Sequence, residues 1–456
     1  MSIQSVNPAT GQVEREFDPH TAEEVEERIA AAHGAFSVLA GTDFTTRGQW
    51  MRAAADLMEA DADEVAATIT GEMGKTLVQA RAEVLKSAKA MRFYADNAET
   101  MLTGRVLDDP SAVGASEAYV RYQPSAPSWR SCPGTTRSGR SSASPRQPHG
   151  RQHSAPEARV QRPPGSALPG FTLRTGGVSP GSLPLTAHLC PRCRGSDPRP
   201  RVVAVTLTGS EPAGRSVASI AGAEVKHVVL ELGGSDPFIV LPSADLDAAV
   251  KTAVTARTTN NGQACINAKR FIVHNDIYDE FADRFIAAIT SLKVGDPTDP
   301  LTDVGPVATR GGLGELHELV DDAVHKGAKA YVGQSGPDGG WYYPPTVVAD
   351  VTPAMRLYAE EAFGPVATLY RATDVDDALR IANDTTFGLS SAVWTNEPEE
   401  ERRCIEGIQA GAVFVNGMSI SYPELPFGGV KDSGVGRELS AEGIREFCNL
   451  KSVWKG

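Results

Sequence analysis

The sequence predicts an α/β protein built on a mostly parallel sheet. From residue 201 onward, short apolar runs such as 228–230 and 238–241 alternate with helical patterns. Strands separated by helices of this length pair in parallel and are covered by helices on both faces of their sheet. The chain also has 456 residues, more than one hydrophobic core usually supports, which predicts two or three domains.

The first 122 residues predict helices followed by a hairpin. Thr21 and Glu24 have the spacing of a capping box, in which each side chain satisfies the other residue's amide at a helix start. The apolar residues after them recur at helical spacing: Val25, Ile29, Ala32 and Phe36. Further helices are predicted at 47–69 and 76–100, and an extended hairpin at 104–122.

The elements after residue 201 predict a buried sheet with intervening helices. A helix is predicted at 211–222. Apolar runs predict five strands, at 202–207, 228–230, 238–241, 270–273 and 412–415.

Composition and charge exclude several classes of protein. The chain is 41% apolar and 22% charged, which is typical of globular proteins, and its net charge of −13 argues against nucleic-acid or anionic-membrane partners. No apolar run approaches the ~18 residues of a membrane span. The N-terminus shows no secretory signal pattern, and six irregularly spaced cysteines do not form a disulfide framework. We therefore expect a cytoplasmic protein.

Residues 123–200 differ sharply in composition from the rest of the chain. They hold 14 of the 31 prolines, 11 arginines and 12 serines, but two acidic residues and no lysine, so their net charge is +9. Proline at this density removes amide donors and excludes helices and central strands. Because few apolar side chains remain to offset the entropy of ordering, the segment is predicted to be disordered.

Three interpretations of residues 123–200 are open. The segment is a natural insert, an arginine-rich nucleic-acid-binding tract, or the product of a reading-frame shift that is later corrected. The second interpretation lacks interleaved aromatic residues and lysine. Off-frame translation of a GC-rich gene yields Arg, Pro, Ser and Gly in excess, and the edges of the segment are abrupt. The frame shift is therefore favoured over the insert.

Cys265 is the candidate nucleophile. Gly262 permits close approach of another backbone segment, and Asn261 and Gln263 can donate hydrogen bonds. Amide dipoles and limited solvation are expected to lower the pKa of the thiol, since the thiolate is the reactive species. The alternative is a small cysteine buried in the core.

The other cysteines are expected to have no chemical role. Cys404 and Cys448 lie in helical patterns and are interpreted as structural. Cys132, Cys190 and Cys193 belong to the anomalous segment. The last two have the spacing of a metal knuckle, but no second pair of ligands follows, so no metal is expected.

Three further motifs offer groups that can bind a ligand. Glu231 ends a strand before two glycines, where a carboxylate can act as a base, although a helix cap or salt bridge is the alternative. Gly209 and Ser210 join a strand to a helix, an arrangement that can hold a phosphate. Glu361 and Phe363 offer a carboxylate for ribose hydroxyls and a wall for a flat ring, or else ordinary surface and core.

Taken together and in this order, these motifs resemble the aldehyde dehydrogenase superfamily. The resemblance covers residues 1–122 and 201–456 and includes a glycine-dense loop near the C-terminus. Two runs are most similar to its succinate-semialdehyde dehydrogenase branch: Val-Asn-Pro-Ala-Thr-Gly at 6–11 and Tyr-Pro-Glu-Leu-Pro-Phe-Gly-Gly at 422–429. The resemblance implies NADP or NAD as cofactor, a small aldehyde as substrate, and a homodimer or homotetramer.

The resemblance also implies the course of the reaction. Cys265 would attack the aldehyde carbon, and a hydride would pass to the nicotinamide to leave a thioester. Glu231 would activate the water that hydrolyses this thioester. Gly209 and Ser210 would contact the pyrophosphate of the cofactor.

The remaining contacts are implied in the same way. Glu361 would hold the nicotinamide ribose, with Phe363 near the ring. Phe427 would help to line the aldehyde pocket. The amide of Cys265 would supply half of an oxyanion hole.

The family's fold implies three parts. A Rossmann-type cofactor-binding domain would occupy 1–232, with the hairpin 104–122 as an oligomerisation arm. An α/β catalytic domain would occupy 233–425, and residues 426–456 would return to the cofactor-binding domain. The C-terminal strand near 449–455 would pair protomers.

The anomalous segment covers motifs that the family carries. A Pro-Trp-Asn-Phe-Pro-like run, a lysine for the adenosine ribose and two core strands belong there, and the isolated Trp129 does not match them. Loss of the asparagine removes an oxyanion donor, which costs about 10²–10³ in rate in other enzymes. We therefore expect a weakly active or inactive, poorly soluble chain. The alternative is an inactive homologue with an assembly or scaffolding role.

Overall fold

The computed structural model describes residues 3–125 and 201–456, together with the backbone of 128–131. The strands are β1 (Ile3–Asn7), β2 (Gln12–Phe17), β3 (Arg105–Val106), β4 (Glu117–Pro124), β5 (Ser128–Ser131), β6 (Ala204–Thr208), β7 (His227–Glu231), β8 (Asp236–Val240), β9 (Ala268–His274), β10 (Lys329–Val332), β11 (Thr346–Ala349), β12 (Val366–Ala372), β13 (Ala392–Trp394), β14 (Phe414–Val415), β15 (Gly434–Val435) and β16 (Cys448–Lys455). The α-helices are α1 (Ala22–Gly41), α2 (Phe44–Ala60), α3 (Ala62–Met73), α4 (Leu77–Met101), α5 (Glu211–Ala223), α6 (Leu246–Thr258), α7 (Asn275–Thr290), α8 (Arg310–His325), α9 (Arg356–Ala359), α10 (Val375–Asn383), α11 (Pro398–Gly407) and α12 (Ser440–Arg445).

Two sheets organise the chain around the site. The larger has seven strands in the order β10-β11-β12-β9-β8-β13-β14, all parallel to their neighbours except β10. The smaller has the order β15-β7-β6-β5, in which β5, β6 and β7 are parallel and β15 is antiparallel to β7. The predicted α/β class with mostly parallel pairing is confirmed. The domain boundaries at 232 and 425 stay a prediction.

Helices cover both faces of the larger sheet because successive side chains of its strands point in opposite directions. Ile239 and Ile272 belong to a core cluster that includes residues of α8, α10 and α11. Phe238 and Phe271 point to the other face and join the cluster of α6 and α7, where the rings of Phe271 and Phe285 lie 4.5 Å apart. All five side chains are fully buried, and each contributes about 1.5–3 kcal/mol.

Most of the predicted elements are confirmed. All six elements predicted after residue 201 are present, with ends that differ by at most two residues. The capping box is present as well, since Glu24 N donates to Thr21 Oγ1 at 3.1 Å and Thr21 N donates to Glu24 Oε2 at 2.7 Å. The single helix predicted at 47–69 was wrong, because Asp61 leaves the helical conformation (ψ of 18°) and separates α2 from α3. Within the described residues, none of the helices has the length and apolar character that a bilayer crossing requires.

A three-stranded sheet forms an arm in the order β16-β4-β3. The predicted hairpin is confirmed as β3 and β4, although β4 continues to Pro124. The strand β16 pairs antiparallel with the whole of β4, from Cys448 opposite Pro124 to Lys455 opposite Glu117. The helical environment expected for Cys448 was therefore wrong, because this residue opens a strand.

The disorder predicted for the whole of residues 123–200 was wrong at the start of this segment, where an edge strand forms. Ser128–Ser131 form β5 and pair in parallel with β6, from Ser128 opposite Ala204 to Ser131 opposite Leu207. Four consecutive residues without proline can present amides and carbonyls to a neighbouring strand whatever their side chains are. Residues 132–200, with Cys132, Cys190 and Cys193 and the predicted disorder, lie outside the described residues.

Candidate active site

The carboxyl ends of β6 and β7 bring three of the predicted site residues together. Thr208 and Glu231 are opposite each other at the ends of these parallel strands. Gly209 N donates to Glu231 O at 2.9 Å, so Gly209 forms the turn and its amide is taken up by backbone. Ser210 is the N-cap of α5, and its hydroxyl makes no capping hydrogen bond. A hydroxyl at a helix N-terminus is suited to binding a phosphate.

Glu231 is a buried acid whose carboxyl group faces the site. Its side chain is 2% exposed, and neither carboxyl oxygen has a hydrogen-bond partner among the described residues. Burial raises the pKa of Glu231 to about 9, with a further rise from Glu438 and an opposing effect of Arg437. The group is therefore protonated at neutral pH. A buried polar group without a partner is costly, which suits an acid whose partner is a ligand or water.

The carboxyl group of Glu231 lies against the turn that carries Phe427. A Cβ atom on Gly428 would lie 2.7 Å from Glu231 Oε1, and φ of Gly428 is +150°, so the turn requires glycine. Phe427 is half-buried and exchanges two backbone hydrogen bonds with Glu438, at 2.7 Å and 2.6 Å. The structure thus brings the predicted pocket residue next to the predicted base.

Cys265 follows a strained turn between α6 and β9. Asn260 and Asn261 have φ values of +56° and +55°, and φ of Gly262 is +74°. A Cβ atom on Gly262 would lie 2.4 Å from Gly364 O. The predicted close backbone approach at Gly262 is therefore confirmed, and only glycine permits it.

Asn261 and Gln263 hold this turn rather than facing a ligand. Asn261 Nδ2 donates to Gly74 O at 2.7 Å and to Pro306 O at 3.0 Å. Gln263 Oε1 accepts from Ala308 N at 2.9 Å. The prediction that Asn261 donates hydrogen bonds is confirmed, and both donors of its amide are used by the scaffold. Gln263 is likewise buried, at 4% exposure.

The Cys265 thiol is half-buried among charged side chains. Burial raises its pKa to about 12, and Glu361, Asp236 and Glu231 add to the rise while Lys269 opposes it. The predicted lowering of the pKa was wrong for this structure, because desolvation and three carboxyl groups outweigh one ammonium group. The resting side chain is therefore a thiol, and its reaction requires a group that favours the thiolate.

The sequence did not predict the buried ion pair of Lys269 and Glu361, which contacts the backbone carbonyl of Cys265. Lys269 Nζ donates to Cys265 O at 2.6 Å and to Ala264 O at 3.0 Å, and it lies 3.2 Å from Glu361 Oε1. Lys269 and Glu361 are each 2% exposed. Removing one partner of such a pair costs about 3–5 kcal/mol. The available signal was the pair of basic residues Lys269 and Arg270 at the start of a strand whose centre is apolar.

Glu361 and Phe363 lie between α9 and β12, and the Glu361 carboxylate is close to Gly233. Glu361 Oε1 accepts from Gly234 N at 3.2 Å, while a Cβ atom on Gly233 would lie 2.7 Å from Glu361 Oε2. Phe363 is half-buried. The carboxylate therefore faces bare backbone, and together with the Ser210 hydroxyl it suits a ligand that carries hydroxyl and phosphate groups, such as a dinucleotide.

Comparison with known proteins decides the family. The model of the aldehyde dehydrogenase family matches residues 1–128 and 198–453. The chain belongs to the aldehyde dehydrogenase family. The match stops at 128 and resumes at 198, close to the predicted limits of the anomalous segment at 123 and 200.

Relatives of this aldehyde dehydrogenase include named enzymes. Succinate-semialdehyde dehydrogenase [NADP(+)] of Mycobacterium avium is 53% identical over 469 residues, which cover 100% of this chain and 97% of that protein. Succinate-semialdehyde dehydrogenase [NADP(+)] 1 of Mycobacterium tuberculosis is 51% identical over 474 residues, which cover 100% of both. The crystal structure of succinic semialdehyde dehydrogenase from Streptococcus pyogenes with NADP+ has a TM-score of 0.86 and 28% identity, and the similarity covers 99% of each chain.

Proposed function

We propose that this aldehyde dehydrogenase oxidises succinate semialdehyde to succinate, with NADP as hydride acceptor and NAD as the alternative. The proposal rests on one observation above all. The Cys265 thiol lies within electrostatic reach of Glu231, a buried acid that has no hydrogen-bond partner among the described residues. The names of the relatives support the choice of substrate and cofactor.

The reaction would proceed in two stages, attack on the aldehyde by Cys265 and hydrolysis of the thioester with the help of Glu231. The Cys265 thiol loses its proton to water, and the thiolate Sγ bonds to the aldehyde carbon as the carbonyl π bond breaks. The carbonyl oxygen takes up the negative charge beside the Cys265 amide, which has no backbone acceptor among the described residues. When bound, NADP+ would supply the hydride acceptor for the oxidation of this adduct, which would leave a thioester on Cys265. The carboxylate form of Glu231 then takes a proton from water as the water oxygen attacks the thioester carbon. The C–S bond breaks, the acid leaves, and Glu231 returns the proton to the Cys265 sulfur.

The cofactor is proposed to lie along the edge formed by β6 and β7. Ser210 and the N-terminus of α5 would hold the pyrophosphate, in a turn that Gly209 shapes. Glu361 would bind the nicotinamide ribose, with Phe363 near the ring. We place this cofactor-binding domain at 1–232 and 426–456, and the catalytic domain at 233–425.

The arm is proposed to assemble a homodimer or homotetramer. In the described part of the chain, β16 is an edge strand of its sheet, and Leu450 and Trp454 on it are 59% and 58% exposed. An edge strand with exposed apolar side chains is suited to pairing with another protomer.

An inactive homologue with an assembly role is the second candidate. It is favoured by one observation, the absence of a family match over residues 129–197. Labelling of Cys265 by a thiol-reactive aldehyde mimic separates the candidates. Protection of Cys265 by NADP supports the enzyme, whereas labelling that NADP does not change supports the inactive homologue.

Glu231→Gln tests the proposed base in a repaired chain, in which residues 129–197 are replaced by the matching segment of the Mycobacterium avium relative. Steady-state turnover is expected to fall by about 10²–10⁴ because general-base catalysis is lost. The first turnover should still release NADPH, because the hydride transfer precedes hydrolysis. Stopped-flow absorbance measures both phases, with the exposed Glu399→Gln on α11 as control. Loss of the first turnover together with the second would contradict the assignment.

The pH dependence of the same step follows from the pKa of Glu231. The base acts as a carboxylate, and burial raises the pKa of Glu231 to about 9, so hydrolysis is expected to speed up as the pH rises toward that value. The Glu231→Gln variant should lose this dependence. A parent rate that falls over the same range would contradict it.

Side chains on one face of α4 contact both the turn that precedes Cys265 and the loop that precedes Phe427. Gln79 Oε1 accepts from Asn260 N at 2.6 Å. Two turns further along, Lys86 Nζ donates to Ser421 Oγ at 2.6 Å. An ammonium and a hydroxyl at this place are suited to the carboxylate at the far end of the proposed substrate.

Lys86→Met is therefore expected to raise KM for succinate semialdehyde in the repaired chain about threefold to tenfold, or ~0.7–1.4 kcal/mol, as for a partly exposed ionic contact. The KM for butanal, which lacks a carboxylate, should not change. Steady-state kinetics with both aldehydes measure the difference, and the exposed Lys89→Met is the control. An equal rise of both KM values would show that Lys86 has only a structural role.

A further inference from the structure

The ammonium group of Lys269 is matched by three acceptors. An ammonium has three N–H donors and no acceptor. Here the acceptors are Ala264 O, Cys265 O and Glu361 Oε1, at 3.0 Å, 2.6 Å and 3.2 Å. Two of them belong to the nucleophile turn, and the third belongs to the carboxylate that is proposed to bind the cofactor ribose.

The backbone of Lys269 is held as firmly as its side chain. Lys269 O accepts from Thr368 Oγ1 at 2.9 Å, on the neighbouring strand β12. The side chain is 2% exposed, so water does not compete for the three contacts. A side chain fixed at both ends can hold the two halves of a site at a set distance.

Burial and neighbouring charges act on this lysine in opposite directions. Burial lowers the pKa of Lys269, and Arg257 lowers it further, while Glu361 and Asp236 oppose the change, as does Cys265. Both carboxyl groups also raise the pKa of the Cys265 thiol, as does Glu231 at the end of β7. Lys269 is the one cation that acts on the thiol against these three acids among the described residues.

We propose that Lys269 is a positioning residue for the reaction: its ammonium fixes the carbonyl of the nucleophile to Glu361 and supplies the positive charge beside which the Cys265 thiolate forms. This inference rests on the proposed function, in which Cys265 attacks the aldehyde and Glu361 holds the cofactor. It adds to that function a residue that touches neither substrate nor cofactor. Lys269 thereby holds Cys265 and the proposed ribose-binding carboxylate of Glu361 in a fixed relative position.

Two variants with opposite expected effects test the proposal on the full chain. Lys269→Met keeps the length of the side chain and removes its charge, so the Cys265 thiolate should form less readily. Glu361→Gln removes a negative charge and leaves the ammonium in place, so the thiolate should form more readily. Alkylation by iodoacetamide reports this directly, because the thiolate is the nucleophile. The peptide that carries Cys265 is quantified by mass spectrometry across a range of pH.

Alkylation of Cys265 at mildly alkaline pH is expected to slow about threefold to tenfold in Lys269→Met. A higher thiol pKa leaves less thiolate, but the more basic thiolate is a stronger nucleophile, which offsets part of the loss in rate. The pH profile of Cys265 alkylation should shift to higher pH in Lys269→Met and to lower pH in Glu361→Gln. The exposed Lys329→Met is the control for a lost lysine, and Cys448 in the same digest is the control for global unfolding.

Three outcomes would overturn the proposal. An unchanged pH profile of Cys265 in Lys269→Met is the first. A slower reaction in Glu361→Gln is the second, and it is decisive even when Lys269→Met does not fold. Equal changes at Cys265 and Cys448 are the third, because they would show a general loss of structure. Failure of the proposed function is a separate result: the repaired chain would then show no turnover, whatever the alkylation profiles show.

Discussion

Replacement of residues 129–197 by the matching segment of the Mycobacterium avium relative is expected to raise aldehyde oxidation by at least about 10²–10³-fold. The resemblance to the family implies an asparagine in this region that would donate to the developing oxyanion, and loss of one such donor costs about that factor in other enzymes. Residues 129–197 have no match to the family model and contain no asparagine. The same replacement is expected to improve solubility.

The rate of NADPH formation with succinate semialdehyde measures this effect. The unaltered chain is expected to turn over far below the ordinary range of ~1–10³ s⁻¹. The control is the repaired chain with the restored asparagine changed to alanine, which should lose most of the gain. Ordinary turnover by the unaltered chain would contradict both the prediction and the frame-shift interpretation.

The encoding nucleotide sequence gives an independent check of the frame shift. A shift of one base near codons 123 and 200 should yield an apolar α/β stretch with the family's asparagine and lysine motifs. A natural insert would yield no such stretch in either alternative frame. The salt-dependent binding expected of an arginine-rich nucleic-acid tract would disappear on deletion of the segment.

Cys265→Ser in the repaired chain is expected to abolish aldehyde oxidation. A hydroxyl is a far weaker nucleophile at neutral pH than a thiol, and no thioester can form on it. Loss of a nucleophile costs about 10⁶ in rate in a serine protease, so we expect a fall of at least about 10⁴. The volume change is small, so the fold should be retained.

NADPH formation and the thermal unfolding temperature are measured together for this variant. Cys448→Ser is the matched control, because that cysteine is half-buried at the start of β16, outside the proposed site. It should leave turnover unchanged. Undiminished oxidation by Cys265→Ser would exclude Cys265 as the nucleophile and would leave Glu231 without its proposed thioester.

The fold class and the positions of the strands that carry the site follow from the sequence alone. Runs such as Phe238 to Leu241 are apolar at every position, so they fit only a strand that is buried on both faces. Gly262 marked a close backbone approach, because no other residue fits that conformation. These features depend on local pattern, which a sequence displays directly. The segment 123–200 stood out in the same way, by composition alone.

The hydrogen-bond partners and pKa values of the side chains in the site depend on tertiary contacts. The tertiary structure directed the Asn261 side chain to the backbone at Gly74 and Pro306, and it joined Lys269 on β9 to Glu361 in the connection before β12. It also raised the pKa of Cys265, which the sequence had led us to expect lowered. Hydrogen-bond partners and pKa values depend on groups that are distant in the chain but close in space. A local pattern contains no information about those distances, and burial strengthens the electrostatic effect of each neighbouring group on hydrogen bonds and pKa values.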